Sequence, residues 1–130
     1  LLGNEVVLNT QQVDVFGGKG PNLLVDAPAG TQSARIDFLD ANGQTVGSHV
    51  VSEIADGRNI IKLDGVNVPN GIYDTSVVLV DGAGKFREVS SKVSGTVEGF
   101  VLEPEPALLV NGQEISLADV TEVVAGKGNV

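Results

Sequence analysis

The amino-acid sequence predicts an all-β fold of short antiparallel strands. Valine is abundant, and the 17 glycines and 5 prolines among 130 residues favour strands and turns over helices. Apolar residues alternate with charged ones at Ala34, Ile36 and Phe38, as in a strand with one solvated face. Turn sequences recur between residues 22 and 93 about every 8 to 12 residues, a spacing typical of a β-sandwich.

The N-terminal segment, residues 4–16, is predicted to form two strands. The first contains the apolar run Val6-Val7-Leu8, and in the second Val13 and Val15 alternate with polar residues. Three glycines and a proline then lie within residues 17–21. We therefore predict a mobile connection there, and a first crossing between two structural units.

The interior, residues 22–93, is predicted to hold six or seven antiparallel strands, the number found in immunoglobulin and fibronectin III-like sandwiches. Its longest strand has Tyr73, Thr75, Val77 and Leu79 on one face. Strands are predicted at residues 23–25, 34–38, 44–51, 59–63, 72–80 and 85–93, with turns at 40–43, 64–71 and 81–84.

The C-terminal part begins at Ser94-Gly95, the predicted crossing back to the first unit. Two extended stretches follow, joined by Glu-Pro-Glu-Pro at residues 103–106. The second stretch contains Asn111-Gly112, which favours a tight hairpin because both residues tolerate positive φ. Strands this short are not stable alone, so we expect them to pair with residues 4–16.

Residues 116–130 allow more than one interpretation. A single helical turn capped by Ser116 and followed by a strand is favoured. Leu117, Val120 and Val124 have helical spacing, but the residues from 120 onward are rich in β-branched side chains. The alternative is a β-branched strand that closes a small barrel. Residues 125–130 are predicted to fray.

Composition excludes several functions. Eight basic and 17 acidic residues give a net charge of −9, which disfavours nucleic acid and anionic membranes as partners. No apolar run is long enough for membrane insertion. The absence of cysteine excludes disulfides, thiolate catalysis and thiolate zinc sites. Because the chain starts with Leu and lacks Met, we expect a fragment or a processed product.

Three stretches together resemble one known family, the bacterial flagellar hook-capping proteins (FlgD). They are Leu-Gly-Asn-Glu-Val at residues 2–6, Pro-Asn-Gly-Ile-Tyr at 69–73, and the region from 95 through Leu-Ala-Asp-Val at 117–120. The resemblance implies a small tudor-like β-barrel built from residues 1–18 and 94–130. An immunoglobulin or fibronectin III-like sandwich, residues 19–93, is inserted into it. Many relatives have Trp-Asp-Gly where this chain has Leu63-Asp64-Gly65, so a repacked core is expected.

The resemblance also implies a function in assembly. Members of the family are exported through the flagellar secretion apparatus and form an oligomeric cap on the growing hook tip, where they guide hook subunits into place. The implied partners are hook subunits and further copies of the chain, at the bacterial flagellum. No cofactor, metal, nucleic acid, membrane insertion or small-molecule substrate is expected.

For each candidate catalytic or metal-binding residue, a role in a turn or strand accounts for the sequence better than a role in catalysis or metal binding. Residues 40–43 resemble the start of a calcium loop, but no closing Glu follows, so a hairpin turn is favoured. His49 and Ser48 are neighbours on a strand and point to opposite faces, so a catalytic pair is not expected. Residues 17–20 lack the P-loop spacing. The carboxylates considered for acid–base chemistry are predicted to face solvent: Asp14, Asp26, Asp37 and Asp40.

A tudor-like unit raises the possibility of an aromatic cage. Phe16 and Phe100 are the only aromatic residues in the end segments, and one or both are expected in the core, so no cage is predicted. We therefore predict a non-enzymatic scaffold that acts through its surface. The alternative is an extracellular fibronectin III-like module for carbohydrate binding or adhesion. The predicted contact residues are Asp40, Asn42, Asp64, Asn67, Asn70, Glu103 and Glu105.

Overall fold

The computed structural model describes residues 2–124, and it confirms the all-β prediction. Within these residues there are twelve strands and one short 3-10 turn, Leu117–Asp119. The strands are β1 (Glu5–Leu8), β2 (Val13–Val15), β3 (Asn22–Ala27), β4 (Thr31–Leu39), β5 (Thr45–Val51), β6 (Gly57–Ile61), β7 (Gly71–Asp81), β8 (Phe86–Val89), β9 (Ser91–Val101), β10 (Ala107–Val110), β11 (Gln113–Ser116) and β12 (Val120–Val124).

The strands form two antiparallel sheets. The first sheet has the order β11-β10-β9-β1-β12, and β3 joins it through β9, with β6 beyond β3. The second sheet has the order β2-β7-β4-β5, and β8 also pairs with β7. Strand β9 is the centre of the first sheet, because it pairs in turn with β3, β1 and β10 along its length.

The two chain ends meet in the first sheet. Val6 of β1 lies opposite Gly95 on one side and Val123 on the other, so β1 is held between β9 and β12. The expected pairing of the N-terminal segment with residues beyond 93 is thus present for β1. The second strand of that segment, β2, pairs instead with β7, where Val13 lies opposite Tyr73.

One hydrophobic core runs through both sheets. The predicted faces are confirmed, since Ile36, Phe38 and Val77 are fully buried and Tyr73 is nearly so. Phe38 and Tyr73 meet edge to face with ring centroids 6.1 Å apart, a favourable aromatic geometry. The same cluster extends to residues of the first sheet between β1, β9 and β10: Val6, Leu8, Val97, Leu108 and Val110.

Residues 17–20 form an anchored hairpin where the sequence predicted a mobile connection. Phe16 and Lys19 exchange backbone hydrogen bonds of 2.9 and 3.1 Å, and the intervening glycines have φ of 60° and 75°. Both glycines are therefore needed by the turn itself. The hairpin is tied to the 64–71 loop, because Val66 N donates to Gly18 O at 2.8 Å.

Ser94-Gly95, where the crossing back to the first unit is predicted, is the middle of a continuous strand and not a loop. Both residues are buried in β9, with Ser94 opposite Asn22 of β3 and Val7 of β1. The backbone hydrogen bonds on both sides hold this segment extended. The predicted strand at 85–93 is instead divided at Ser90 between β8 and β9.

The C-terminal predictions are confirmed up to residue 124. Asn111 and Gly112 have φ of 52° and 76° and join β10 to β11 as a tight hairpin. Ser116 caps the 3-10 turn, since its Oγ accepts a hydrogen bond from Ala118 N at 3.3 Å, and β12 follows. The predicted fraying at 125–130 lies outside the described residues.

Candidate interaction surfaces

The turn at residues 40–43 uses its acidic side chain internally. Asp40 Oδ1 accepts hydrogen bonds from Asn42 N at 2.9 Å and from Gln44 N at 3.0 Å. Gly43 completes the turn with φ of 78°. The carboxylate therefore stabilises the β4–β5 hairpin, and the Asn42 side chain remains exposed at its tip.

The loop at residues 64–70 is packed against the molecule. Asn70 Oδ1 accepts a hydrogen bond from Gly17 N at 2.9 Å, and Tyr73 Oη donates to Pro69 O at 2.6 Å. Val66 is buried, as is Leu63. Of the predicted contact residues here, Asp64 and Asn67 are exposed with no side-chain hydrogen bond to a described residue, whereas Asn70 has a structural partner.

The connector at residues 103–106 joins β9 to β10 and is fully exposed. Neither Glu103 nor Glu105 forms an ion pair or hydrogen bond with any of residues 2–124. Both carboxylates are therefore free to contact another molecule.

The remaining candidate residues do not converge on a catalytic site. Ser48 Oγ donates to Asp37 Oδ1 at 2.6 Å rather than to His49, which is half-buried on β5. Arg35 Nε also lies 2.9 Å from Asp37 Oδ1. Partial burial raises the pKa of Asp37, but the hydrogen bonds from Arg35 and Ser48 outweigh it and hold the pKa below its usual value.

The other carboxylates lie apart. Asp14 and Asp26 are exposed on β2 and β3, and Asp40 is in its turn. Across residues 2–124, no three His, Asp or Glu side chains are grouped so as to hold a metal ion. In that same part of the chain, no helix has the length and apolarity to cross a membrane.

Both aromatic residues of the end segments are exposed, which corrects the expectation that one or both would be core. Phe16 is 76% exposed and Phe100 is 55% exposed. Phe16 follows Val13 and Val15, which take the inward positions of β2, so by alternation it faces outward with Asp14. Phe100 lies near the end of β9, where the sheet curls but leaves the ring partly uncovered.

A cleft of about 410 Å³ lies where the two sheets meet, and sequence reasoning did not predict it. We call it the junction cleft. The exposed side chains of Phe16 and Ile72 line it from the second sheet, and Val110, Gln113 and Ile115 line it from the β10–β11 hairpin. The outward position of Phe16 was visible in the alternation of β2, but its proximity to the β10–β11 hairpin depends on tertiary structure.

One ion pair connects two strands of the first sheet that are not hydrogen-bonded neighbours. Arg58 of β6 and Glu122 of β12 form two hydrogen bonds, of 2.7 and 3.3 Å. Arg58 lowers the pKa of Glu122, mainly by hydrogen bonding, and the pKa of Arg58 is raised in return. The pair joins strands whose sequence positions differ by 64 residues.

Together these features define a class of protein: an all-β protein whose two chain ends pair within one of its two sheets, with loops and apolar side chains exposed. No family model matches the chain, and no curated protein matches it. Solved structures do match. FlgD from Xanthomonas campestris, described in terms of hook capping essential for flagellar assembly, is similar with a TM-score of 0.68 and 22% identity.

The likeness extends over nearly the whole length of both proteins. The alignment covers 94% of this chain and 93% of the Xanthomonas campestris protein. FlgD from Pseudomonas aeruginosa is similar with a TM-score of 0.58 and 20% identity over 95% of this chain and 97% of its own. Truncated FlgD from Helicobacter pylori has a TM-score of 0.50 and 18% identity over 97% and 95%. The resemblance seen in the sequence is thus confirmed as a shared fold.

Proposed function

We propose that this chain is a scaffold that caps the bacterial flagellar hook during assembly, and that it acts through its surfaces without catalysing a reaction. The observation that supports the proposal most strongly is the fold shared with Xanthomonas campestris FlgD over 94% of the chain. That shared fold agrees with three sequence stretches, at residues 2–6, 69–73 and 95–120, that were identified independently of the structure.

The chain is proposed to contain two units, a barrel of residues 1–18 and 94–130 and an inserted sandwich of residues 19–93. Strand pairing favours one change to this division. Because β2 pairs with β7, residues 13–15 belong with the sandwich, and the first crossing would lie near residues 9–12. The second crossing would lie within β9, whose two halves pair with β3 and β10.

Contact with hook subunits and with other copies of the chain is proposed to use exposed apolar and polar groups. The junction cleft supports this, because Phe16 and Ile72 expose large apolar side chains next to a concavity. The exposed predicted residues remain candidates for the same contacts: Asn42, Asp64, Asn67, Glu103 and Glu105. Asp40 is a weaker candidate because it is half-buried and its carboxylate already accepts two hydrogen bonds within its turn. Asn70 is a weaker candidate because it already binds Gly17.

Guidance of hook subunits would follow from repeated binding and release at these surfaces at the hook tip. Export through the flagellar secretion apparatus is part of the same proposal. A chain with no cysteine is suited to it, because refolding after passage needs no oxidation step.

The proposal can be tested in bacteria and with purified proteins. In a strain that lacks its hook-capping gene, the gene for this chain is expected to restore hooks seen by electron microscopy. A photo-reactive amino acid in place of Ile72 is expected to cross-link to hook subunits, whereas the same group at Ser76, further along β7, should not. A folded, exported protein that restores no hooks and cross-links to no hook subunit would overturn the proposal. Glycan binding would instead favour an adhesion module.

A further inference from the structure

The end of the first sheet formed by β9, β10 and β11 exposes large apolar side chains next to the core. Phe100 lies opposite Leu108, which in turn lies opposite Ile115. Opposite residues share a sheet face, and Leu108 is buried while Ile115 packs on the core. Phe100 therefore continues the core face outward, with 55% of its surface exposed.

Two leucines extend this apolar surface. Leu102 and Leu117 directly follow Val101 and Ser116, which both lie opposite Ala107. The two leucines thus leave the sheet at the same end, and they are 70% and 49% exposed. We name Phe100, Leu102 and Leu117 the apolar shelf.

The charged residues of the segment that carries the apolar shelf are all acidic. No Lys, Arg or His occurs from residue 93 to residue 126. The carboxylates of this region that have neither an ion pair nor a side-chain hydrogen bond to a described residue are all exposed: Glu103, Glu105, Glu114 and Asp119. The strands and turns that carry the shelf therefore contribute only negative charge to its surroundings.

We infer that the apolar shelf binds a protein segment that presents a bulky apolar side chain between lysines or arginines. The exposed apolar area supplies binding energy, and the surrounding carboxylates select a cationic partner. A second copy of this chain is a poor occupant, because each copy carries a net charge of −9 and would bring the same acidic face. We identify the natural partner as a hook subunit, and this step alone rests on the proposed function.

The inference is tested first without any natural partner. The probe is a synthetic peptide, Lys-Lys-Phe-Leu-Lys-Lys, titrated into isotopically labelled protein and compared with its counterpart in which Glu replaces Lys. Chemical-shift changes are expected at the apolar shelf with the cationic peptide alone. Raising sodium chloride from about 0.1 M to about 1 M, which shortens the Debye length from about 10 Å to about 3 Å, is expected to weaken binding about tenfold.

Substitutions separate the apolar and the charged contributions. Both E103Q/E105Q and F100S are expected to weaken binding of the cationic peptide about tenfold, because each removes one of the two sources of affinity. L102S provides a second apolar variant if F100S lowers the folded fraction seen by circular dichroism. The matched control is F86S, since Phe86 is 71% exposed but lies between Lys85 and Arg87. F86S should bind like the unaltered protein.

The outcomes distinguish this inference from the proposed function. Equal binding by F100S, L102S and the unaltered protein, or shifts spread away from the shelf, would overturn the shelf as a docking surface. A second outcome is that hook subunits bind E103Q/E105Q and both apolar variants as tightly as they bind the unaltered protein. That outcome would overturn the shelf as the hook-subunit site while leaving the hook-capping proposal in place. Peptide binding at the shelf without hook-subunit binding would support the shelf and contradict the proposed function.

Discussion

At Gly95, strand β9 lies close against the side chains at the end of β10. A Cβ atom added there would be 2.6 Å from Val110 Cγ1 and 2.7 Å from the side-chain amide of Asn111. No L side chain fits that space unless the side chains of Val110 and Asn111 are displaced. Glycine is therefore required by packing, since its φ is not in the left-handed region.

The substitution Gly95→Ala is expected to destabilise the protein by about 1–3 kcal/mol, the usual cost of overpacking a filled site. The measurement is the free energy of unfolding from urea titrations. Gly82→Ala is the control, because the added Cβ would meet only the flexible end of Gln32, at 3.0 Å. Equal stability of the two variants would show that the β9–β10 approach is looser than the structure indicates.

Tyr73 is a second residue whose environment yields a prediction. Its hydroxyl donates to Pro69 O at 2.6 Å and holds the 64–70 loop against β7. Tyr73→Phe keeps the buried ring and removes this bond, at a cost of about 0.5–1.5 kcal/mol. Hydrogen exchange at Val66 and Val68 is expected to accelerate while the amides of β4 remain protected. Unchanged exchange in the loop would mean that its backbone hydrogen bond to Gly18 O is enough to hold it in place.

At the scale of strands and loops, most elements could be predicted because their signals are local. Alternation located β4 and β7, and Asn-Gly located the β10–β11 hairpin. The misassigned elements depend on distant partners. Gly17-Gly18 resembles a linker, but Val66 and Asn70 fix it as a hairpin. Ser94-Gly95 resembles a turn, but β1 and β3 hold it extended.

The candidate surfaces could be predicted only in part, for the same reason. Exposure of residues 40–43 and 103–106 follows from their turn sequences. The junction cleft combines side chains that are far apart in sequence, whereas the apolar shelf depends on the register of β9, β10 and β11. Strand alternation can place Phe16 on an outer face, yet only the packing of β2 near the β10–β11 hairpin makes that side chain part of a cleft.

The Arg58–Glu122 pair joins β6 to β12, and its contribution should depend on pH. Since Arg58 lowers the pKa of Glu122, the pair stabilises the fold above the ordinary carboxyl value of 4.5 and loses this effect as pH falls through the lowered folded pKa. The stability difference between the unaltered protein and Glu122→Gln should therefore be present at pH 7 and vanish in acid. The effect is small because both side chains are exposed and screened by salt. A stability difference between the two proteins that persists in acid would show that the Arg58–Glu122 ion pair is not its cause.

At the scale of the whole molecule, the question is whether the two proposed units unfold separately or together. A mobile connection was predicted at residues 17–21, and units joined in that way would unfold separately. Instead, β9 belongs to both units, and one buried cluster contains residues of both, such as Val6 and Val77. Separating the units would break hydrogen bonds on both edges of β9 and expose that core to water.

We therefore expect the protein to unfold in a single cooperative transition. Tyr73 fluorescence reports unfolding of the second sheet, and the methyl signals of Val97 and Leu108 report unfolding of the first sheet. The two probes should give the same midpoint in urea. Val6→Asp places a carboxylate in a fully buried site between β9 and β12, at a cost of several kcal/mol. It should lower both midpoints together. A variant in which only the Val97 and Leu108 signals melt early would show two independently folding units joined by β9, and would restore the separate-domain description.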